Sequence, residues 1–390
     1  MIYLEIVFWF LLFSILYSYL IYPFSLFIIS LFGKKTKKHA NQLEYFPTVT
    51  LFVTAFNEAE FVIKKVENSL KLNYPKDKLR LIWVTDGSTD ATNELLQNFP
   101  EVTVFYEPQR NGKVHAMNRG MQFVDSEIVI FSDGNTLLSQ DTVIAIVTAF
   151  ANPKVGCVAG EKRIQLDVKD NAATSGEGLY WKYESWVKDQ ESNMGSCMGA
   201  AGELFAIRRS LFFSVPNDTI LDDFTISLKI AMQGYKIDYT PEAFALEQAS
   251  ASVDEEMKRK IRIAAGSFQS VFRLLPLLNI FKYGTLSWQF ISHKLFRWII
   301  IPLSLVLIIP INIILANYSS HTSLYQSIGF IQILLYFIVL LGFIFRKRKT
   351  SWGFMFVPYY FFIANKALWL GFFRFLGGKQ SVKWERAKRA

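Results

Sequence analysis

Between residues 48 and 151 the chain switches repeatedly between two hydrophobic periods. Four short β-branched runs, "TVTLFVTAF" (48–56), "LRLIWVTDG" (79–87), "EVTVFYE" (101–107) and "EIVIFSDG" (127–134), are each followed by helical spacing, at 59–72, 90–98, 113–124 and 140–151. Strands alternating with helices predict βαβ units, an α/β domain with a mostly parallel sheet covered on both faces. At the two ends the polar positions nearly vanish. Residues 2–32 hold one charge, Glu5, and 299–316, 324–345 and 352–376 are almost as apolar. A bilayer-spanning helix needs roughly 20 such residues. The first stretch lacks a short apolar region with a small-residue cleavage site, so it reads as an anchor. The last contains Pro358 and the pair Asn365-Lys366, and is expected to form a re-entrant or interfacial hairpin. Residues 255–275, "EEMKRKIRIAAGSFQSVFRLL", predict an amphipathic helix lying on the membrane.

The expected organisation is an N-terminal transmembrane helix (1–33), a cytosolic α/β domain (34–254), an amphipathic interfacial region (255–285), and a C-terminal transmembrane and re-entrant region with a basic tail (286–390). Composition agrees: 51% of the 390 residues are hydrophobic and 16% aromatic, more than a soluble domain of this size uses. The net charge of +9 gathers at "KKTKK" (34–38), "RKRK" (346–349) and the tail "KQSVKWERAKRA". Basic flanks stay on the cytoplasmic side, which implies an integral plasma (inner) membrane protein with its central domain in the cytoplasm. Basic and aromatic residues are not interleaved over the central domain, so nucleic acid is not an expected partner. Cys157 and Cys197 have neither metal-ligand nor disulfide spacing and read as buried thiols.

The chemistry collects at the strand ends, where ligands bind in parallel sheets. The first strand ends in Asn57-Glu58, the second in Asp86-Gly87-Ser88-Thr89-Asp90 and the fourth in Asp133-Gly134-Asn135, while "RNGKVHAMNRG" after the third holds Arg110 and Lys113. A single Asp-Gly is ordinary turn chemistry. Four successive strand ends with acids, amides and a few cations instead suit a diphosphate bound with a hard divalent cation. No glycine-rich dinucleotide or P-loop signature is present. The four histidines are scattered and none is assigned to the site, His115 being the one near Lys113 in sequence.

The stretches "VTAFNEAEFVIKKVENSL", "WVTDGSTDAT", "RNGKVHAMNRG", "FSDGNT", "GELFAIRRSLF" and "LDDFTISLKIAMQGYKIDYTPEA" resemble, in order, the motifs of family 2 glycosyltransferases of GT-A fold. The similarity is to the membrane-embedded branch containing cellulose, chitin, hyaluronan and poly-N-acetylglucosamine synthases. It implies a Rossmann-like nucleotide-sugar domain, a UDP-sugar donor, Mg²⁺ or Mn²⁺, a glycan or lipid-linked acceptor, and export subunits as possible partners. On this resemblance Asp86 contacts the base, Asp133 with Asn135 belongs to the metal–diphosphate motif, and Lys113 sits near the diphosphate. Asp223 is the catalytic base, and Gly202 and Glu203 begin the segment under the acceptor. Asn57, Glu58, Arg110, Arg259 and Arg262 complete the expected donor site. Asp222, next to Asp223 at a helix start, is expected to share the catalytic pair or to cap the helix, since adjacent helical positions do not share a face.

Two departures from the family pattern carry information. Its Asp-x-Asp is here Asp133-Gly134-Asn135, one charge fewer. Its Gln-x-x-Arg-Trp aligns with "RKIRI" (259–263), so Arg262 persists while Arg259 and Ile263 replace the glutamine and the acceptor-stacking tryptophan. The expected activity is an inverting membrane glycosyltransferase in surface polysaccharide or glycolipid synthesis. The alternatives are a single-transfer polyprenyl-phosphate glycosyltransferase and an inactive assembly or transport subunit.

Overall fold

The computed structural model describes residues 1–32, 45–165, 172–248, 253–345, 356–378 and 380. The basic clusters at 34–38 and 346–349 and most of the basic tail lie outside the described residues.

All four expected strands form, as β1 (Val49–Ala55), β2 (Leu79–Asp86), β3 (Val102–Glu107) and β4 (Ile128–Asp133), and the expected helices fall between them as Ala59–Leu70, Thr92–Gln97, Lys113–Gly120 and Thr142–Phe150. Four further strands follow: β5 (Thr136–Leu138), β6 (Val155–Gln165), β7 (Leu204–Arg208) and β8 (Lys236–Gln248). The eight make one sheet in the order β3-β2-β1-β4-β7-β6-β8-β5. The first half is parallel as expected. The second half is mixed, because β7 runs antiparallel to both β4 and β6, and β5 antiparallel to β8. The sheet is therefore α/β and mixed.

Both faces of β1 and of most of β2 are buried. Along β1 and β2, Phe52, Ile82 and Val84 enter one apolar layer, and Leu51, Val53, Leu81 and Trp83 enter the other. That is why these strands read as continuous apolar runs. Register then places the chemistry. Thr54 of β1 pairs with Asp133 of β4, and Ala55 with Thr85 of β2, so the acidic strand tips finish almost level. Ser132 of β4 pairs with Leu204 of β7. This antiparallel contact carries Gly202 and Glu203 to the side of Asp133.

Three helices among the described residues are long and apolar enough to cross a membrane: Ile2–Phe32, Thr285–Tyr318 and Thr322–Phe345. The helix Phe356–Leu376 is continuous, so no hairpin turn falls within it, contrary to the re-entrant hairpin expected at 352–376. Asn365 stays in the helix by donating its amide to the Phe361 carbonyl. This helix also covers much of the apolar side of the amphipathic helix Val253–Arg273. Gly371 lies against Ala264 so closely that a Cβ there would come within 2.4 Å, and Phe268 and Phe272 pack on Phe372 and Phe375. The apolar stripe expected to face lipid thus faces protein over most of its length.

A buried polar cluster ties the sheet domain to the membrane helices. Glu191, on the helix Ala172–Met194, accepts from Tyr22 at 2.6 Å and pairs with His293 Nδ1 at 2.7 Å. Glu184 on the same helix pairs with Arg297 and with His293 Nε2. His293 and Arg297 lie in a stretch of widened turns, Phe290–Ile300. Such widening recurs where helices carry specialised side chains.

Candidate active site

A cleft opens where the parallel strand ends, the start of the helix Asp222–Ala231 and the helix Val253–Arg273 converge. Its lining includes Lys113, Asp133, Gly202, Glu203, Asp222, Asp223, Arg259, Arg262 and Ile263.

Lys113 stands at the centre. It is the first residue of its helix, after Gly112 at φ 101°, a left-handed conformation that a side chain would strain. The Lys113 ammonium lies 3.0 Å from Asp133 Oδ1 and 3.7 Å from Asp222 Oδ2. Burial works against its charge, but Asp133, Asp222 and Asp223 outweigh burial and raise its pKa.

Asp222 and Asp223 both line the cleft. Capping does not explain Asp222, because the helix begins at Asp222 itself, the capping position is Leu221, and no side chain caps it. Asp222 Oδ2 is buried without a hydrogen-bond donor. Burial, and then the neighbouring Asp222 charge, push the Asp223 carboxyl from 3.8 to about 7, against the pull of Lys113. Opposite them Gly202 leaves room: an added Cβ would lie 3.4 Å from Asp223 Oδ2 and 3.5 Å from Lys113 Nζ.

Arg259 and Glu203 belong to a buried ionic quartet. Lys162 of β6 pairs with Glu203 at 2.6 Å and with Glu247 of β8, and Arg259 reaches Glu203 at 3.2 Å and Glu247 at 3.6 Å. Burial would raise the Glu203 carboxyl, but Lys162 and Arg259 hold it well below the usual carboxylate range. Arg262, one turn further along, faces Asp222, Asp133 and Asp223, and burial lowers its pKa. Sequence reading missed Lys162 and Glu247, which sit on strands whose pairing has no local signature.

The remaining expected residues build the rim. Both Asp86 oxygens are engaged by backbone, with the Asn111 amide donating to Oδ1 at 2.9 Å and the Gly112 amide to Oδ2 at 2.7 Å. The carboxylate therefore shapes the loop that presents Lys113. Asn57, at φ 54°, accepts from the Thr89 amide at 2.8 Å and donates its own amide N–H to Ser88, joining the first two strand ends. The Glu58 side chain lies beside Gly134. The Arg110 guanidinium stacks 3.7 Å from the Phe56 ring centre. These four, with Asn135, are outside the cleft lining. His115 does not face the cleft and lies 3.6 Å from Glu107. Cys157 and Cys197 are buried free thiols, as expected.

Among the described residues no three His, Cys, Asp or Glu side chains converge as metal ligands. Asp133 alone brings a carboxylate to the cleft from the expected metal motif. An oxygen-only site with few protein ligands fits Mg²⁺ or Mn²⁺, which keep water and phosphate oxygens in their shells.

Comparison with known proteins places this cleft in context. The poly-beta-1,6-N-acetyl-D-glucosamine synthase of Staphylococcus aureus (strain COL) is 27% identical over 251 residues, 62% of this chain and 59% of that protein. The enzyme of the same name from Staphylococcus epidermidis is 25% identical over 342 residues, 82% of this chain and 81% of that one. The match thus spans about three fifths of the length of the first relative. Among solved structures, the mannosyltransferase PcManGT of Pyrobaculum calidifontis, in complex with GDP-Man and Mn²⁺, superposes with a TM-score of 0.71 at 23% identity, covering 96% of this chain and 99% of that one. The likeness extends beyond the sheet domain and establishes the GT-A fold. The family model "Glycosyltransferase like family 2" matches residues 47–266, which hold the strand tips, Lys113, the Asp222-Asp223 pair and Arg262, and the chain is a membrane-helix-bearing member of glycosyltransferase family 2.

Proposed function

We propose that this protein is an inverting glycosyltransferase of the plasma membrane that moves a sugar from a UDP-sugar to a glycan or lipid-linked acceptor, one or a few sugars per encounter. The observation that carries this reading is the Lys113 ammonium, set between Asp133 and the Asp222-Asp223 pair in one cleft. A phosphate-binding cation and a carboxylate of near-neutral pKa then lie within one sugar's reach. The domain takes the cytoplasmic side, where nucleotide sugars are found.

In this reading Asp223 accepts the proton of the acceptor hydroxyl as its oxygen bonds to the anomeric carbon. The carbon–oxygen bond to the diphosphate breaks and its electron pair leaves with the nucleotide. A carboxyl near pKa 7 is matched to a general base at neutral pH, worth about 10²–10⁴ in rate. Lys113 and Arg262 face the negative charge that builds on the leaving group. A divalent cation held by Asp133, with Asn135 nearby, would neutralise the diphosphate. Asp86, Asn57, Glu58 and Arg110 order the rim against which the nucleoside binds. Arg259, matched by Glu203 and Glu247, fixes the amphipathic helix so that Arg262 reaches the cleft, and Glu203 supports the acceptor floor with Gly202.

Short products are supported by the cleft wall. Ile263 occupies the position of the tryptophan in polymer synthases, and no aromatic ring lines the cleft among the described residues. An aliphatic side chain lacks the directional stacking that retains a sugar after each transfer. The decisive experiment is nucleotide release by the detergent-solubilised full chain over a panel of UDP- and GDP-sugars, with product sizing at excess acceptor. Release with no donor rejects a transferase role, and long polymer beside unused acceptor rejects the short-product reading.

A further inference from the structure

The helix Ala59–Leu70 turns Phe61, Val62, Lys65, Val66 and Ser69 toward the sheet. Lys65 interrupts an otherwise apolar face, and it is fully buried. Its amine donates to Ser132 Oγ at 2.7 Å and to Thr136 Oγ1 at 3.4 Å. Among the described residues it forms no ion pair. A buried ammonium whose partners are only hydroxyls is among the costlier contents of a core, and a methionine would fill the same place without that penalty. Such breaks in otherwise consistent design gather at functional sites.

The hydroxyls show what the amine acts on. Ser132 Oγ donates to the Glu203 carbonyl at 3.3 Å, and Thr136 Oγ1 donates to the Asp133 carbonyl at 3.0 Å. Because a lysine ammonium only donates, each hydroxyl accepts from it; Thr136 gives its hydrogen to the Asp133 carbonyl, and Ser132 shares its own between Thr136 Oγ1 at 3.1 Å and the Glu203 carbonyl. Two short chains thus run from Lys65, one to the backbone of Asp133 and one to that of Glu203. Burial draws the amine down to about 7 and the Asp133 charge opposes that fall. Even the neutral amine has a hydrogen for each hydroxyl.

We propose that Lys65 is a positioning residue for the donor diphosphate, locking the Asp133 turn and the Gly202-Glu203 segment at the spacing the metal-bound diphosphate requires. This rests on the nucleotide-donor reading above. Lys65 touches neither donor nor acceptor, so its effect travels through the backbone that carries Asp133.

The test uses calorimetry on the detergent-solubilised full chain, titrated with UDP, GDP, ADP, CDP and dTDP, with and without Mn²⁺, together with thermal melting. In Lys65→Met, affinity for the nucleotide bound by wild type should fall at least about tenfold with Mn²⁺ present, the scale expected of misplaced binding groups. Metal-free affinity should change by less than about threefold and the melting temperature should not drop, since an apolar replacement of a buried charge is often neutral or stabilising. Thr136→Val, which cuts the chain to the Asp133 carbonyl, should give a metal-dependent loss in the same direction, and combining it with Lys65→Met should add no further loss through that chain. Wild-type affinity in Lys65→Met with Mn²⁺, or additive losses in the double variant, would overturn the proposal. If Lys65→Met does not fold, Thr136→Val decides alone, and unchanged Mn²⁺-dependent affinity in it overturns the proposal. Wild type binding none of the five nucleotides would reject the donor reading and this proposal with it, whereas wild-type binding that Lys65→Met leaves intact would reject this proposal only.

Discussion

Replacing Asp222 with asparagine removes a negative charge beside Asp223 while keeping the side chain's size. The Asp223 carboxyl stands at about 7 instead of 3.8, with burial the larger cause and the Asp222 charge the second. Removal of the Asp222 charge should therefore lower the Asp223 pKa, on the order of one pH unit, equivalent to about 1.4 kcal/mol. Lys113 keeps Asp133 at 3.0 Å, so its ammonium remains charged in the variant. A general base works when deprotonated, so activity in wild type should fall as pH drops through about 7. In Asp222→Asn this acid limb should move down by about one unit, leaving the variant a larger share of its own plateau rate at pH 6. The assay is nucleotide release at limiting donor between pH 5.5 and 8.5, since kcat/KM reports groups of the free enzyme. Asp223→Asn should instead flatten the limb and lower kcat at least about a hundredfold with nucleotide binding retained. An acid limb unmoved or raised in Asp222→Asn, or equal loss from Asp222→Asn with Asp223→Asn nearly silent, would refute the assignment of the base.

Exhaustive chelation should abolish transfer, and Mg²⁺ or Mn²⁺ should restore it; full activity in the chelated enzyme would contradict a metal-assisted leaving group. Gly266→Val should destabilise the fold by about 1–3 kcal/mol, read by denaturant melting, and lower activity, because a Cβ there would lie 2.7 Å from Ile220 and Leu221 just before the acid pair. Reporters at residue 40 and at the C-terminus should register as cytoplasmic and one at Ser320 as external, following the basic flanks; an external C-terminus would mean that the helix Phe356–Leu376 crosses the bilayer.

The elements of the parallel half were legible because their signals are local. Period-two runs such as 79–87 and the helical spacing at 59–72 depend on near neighbours, and both faces of β1 and β2 are covered. The acids at strand tips were legible for the same reason, since strand ends face the ligand side of a parallel sheet wherever the strands lie. Membrane segments follow from length and apolarity alone, although the long helix Thr285–Tyr318 begins well before the stretch at 299–316. Within the helix 59–70 the one local clue left unread was Lys65, a charge on the apolar face.

What tertiary structure decided was which strand edges meet. The sequence by itself does not insert β7 antiparallel between β4 and β6, yet that pairing brings Gly202 and Glu203 beside Asp133. Likewise Lys162 and Glu247 become partners only because β6 lies next to β8, and with Glu203 they engage Arg259, which also lines the cleft. Asp222 faces the cleft as well as Asp223 because the helix starts one residue earlier than a cap would need. Most of these contacts join residues tens of positions apart. Their energies depend on desolvation and on mutual distance in the folded chain, quantities that hydrophobic period and turn chemistry do not encode.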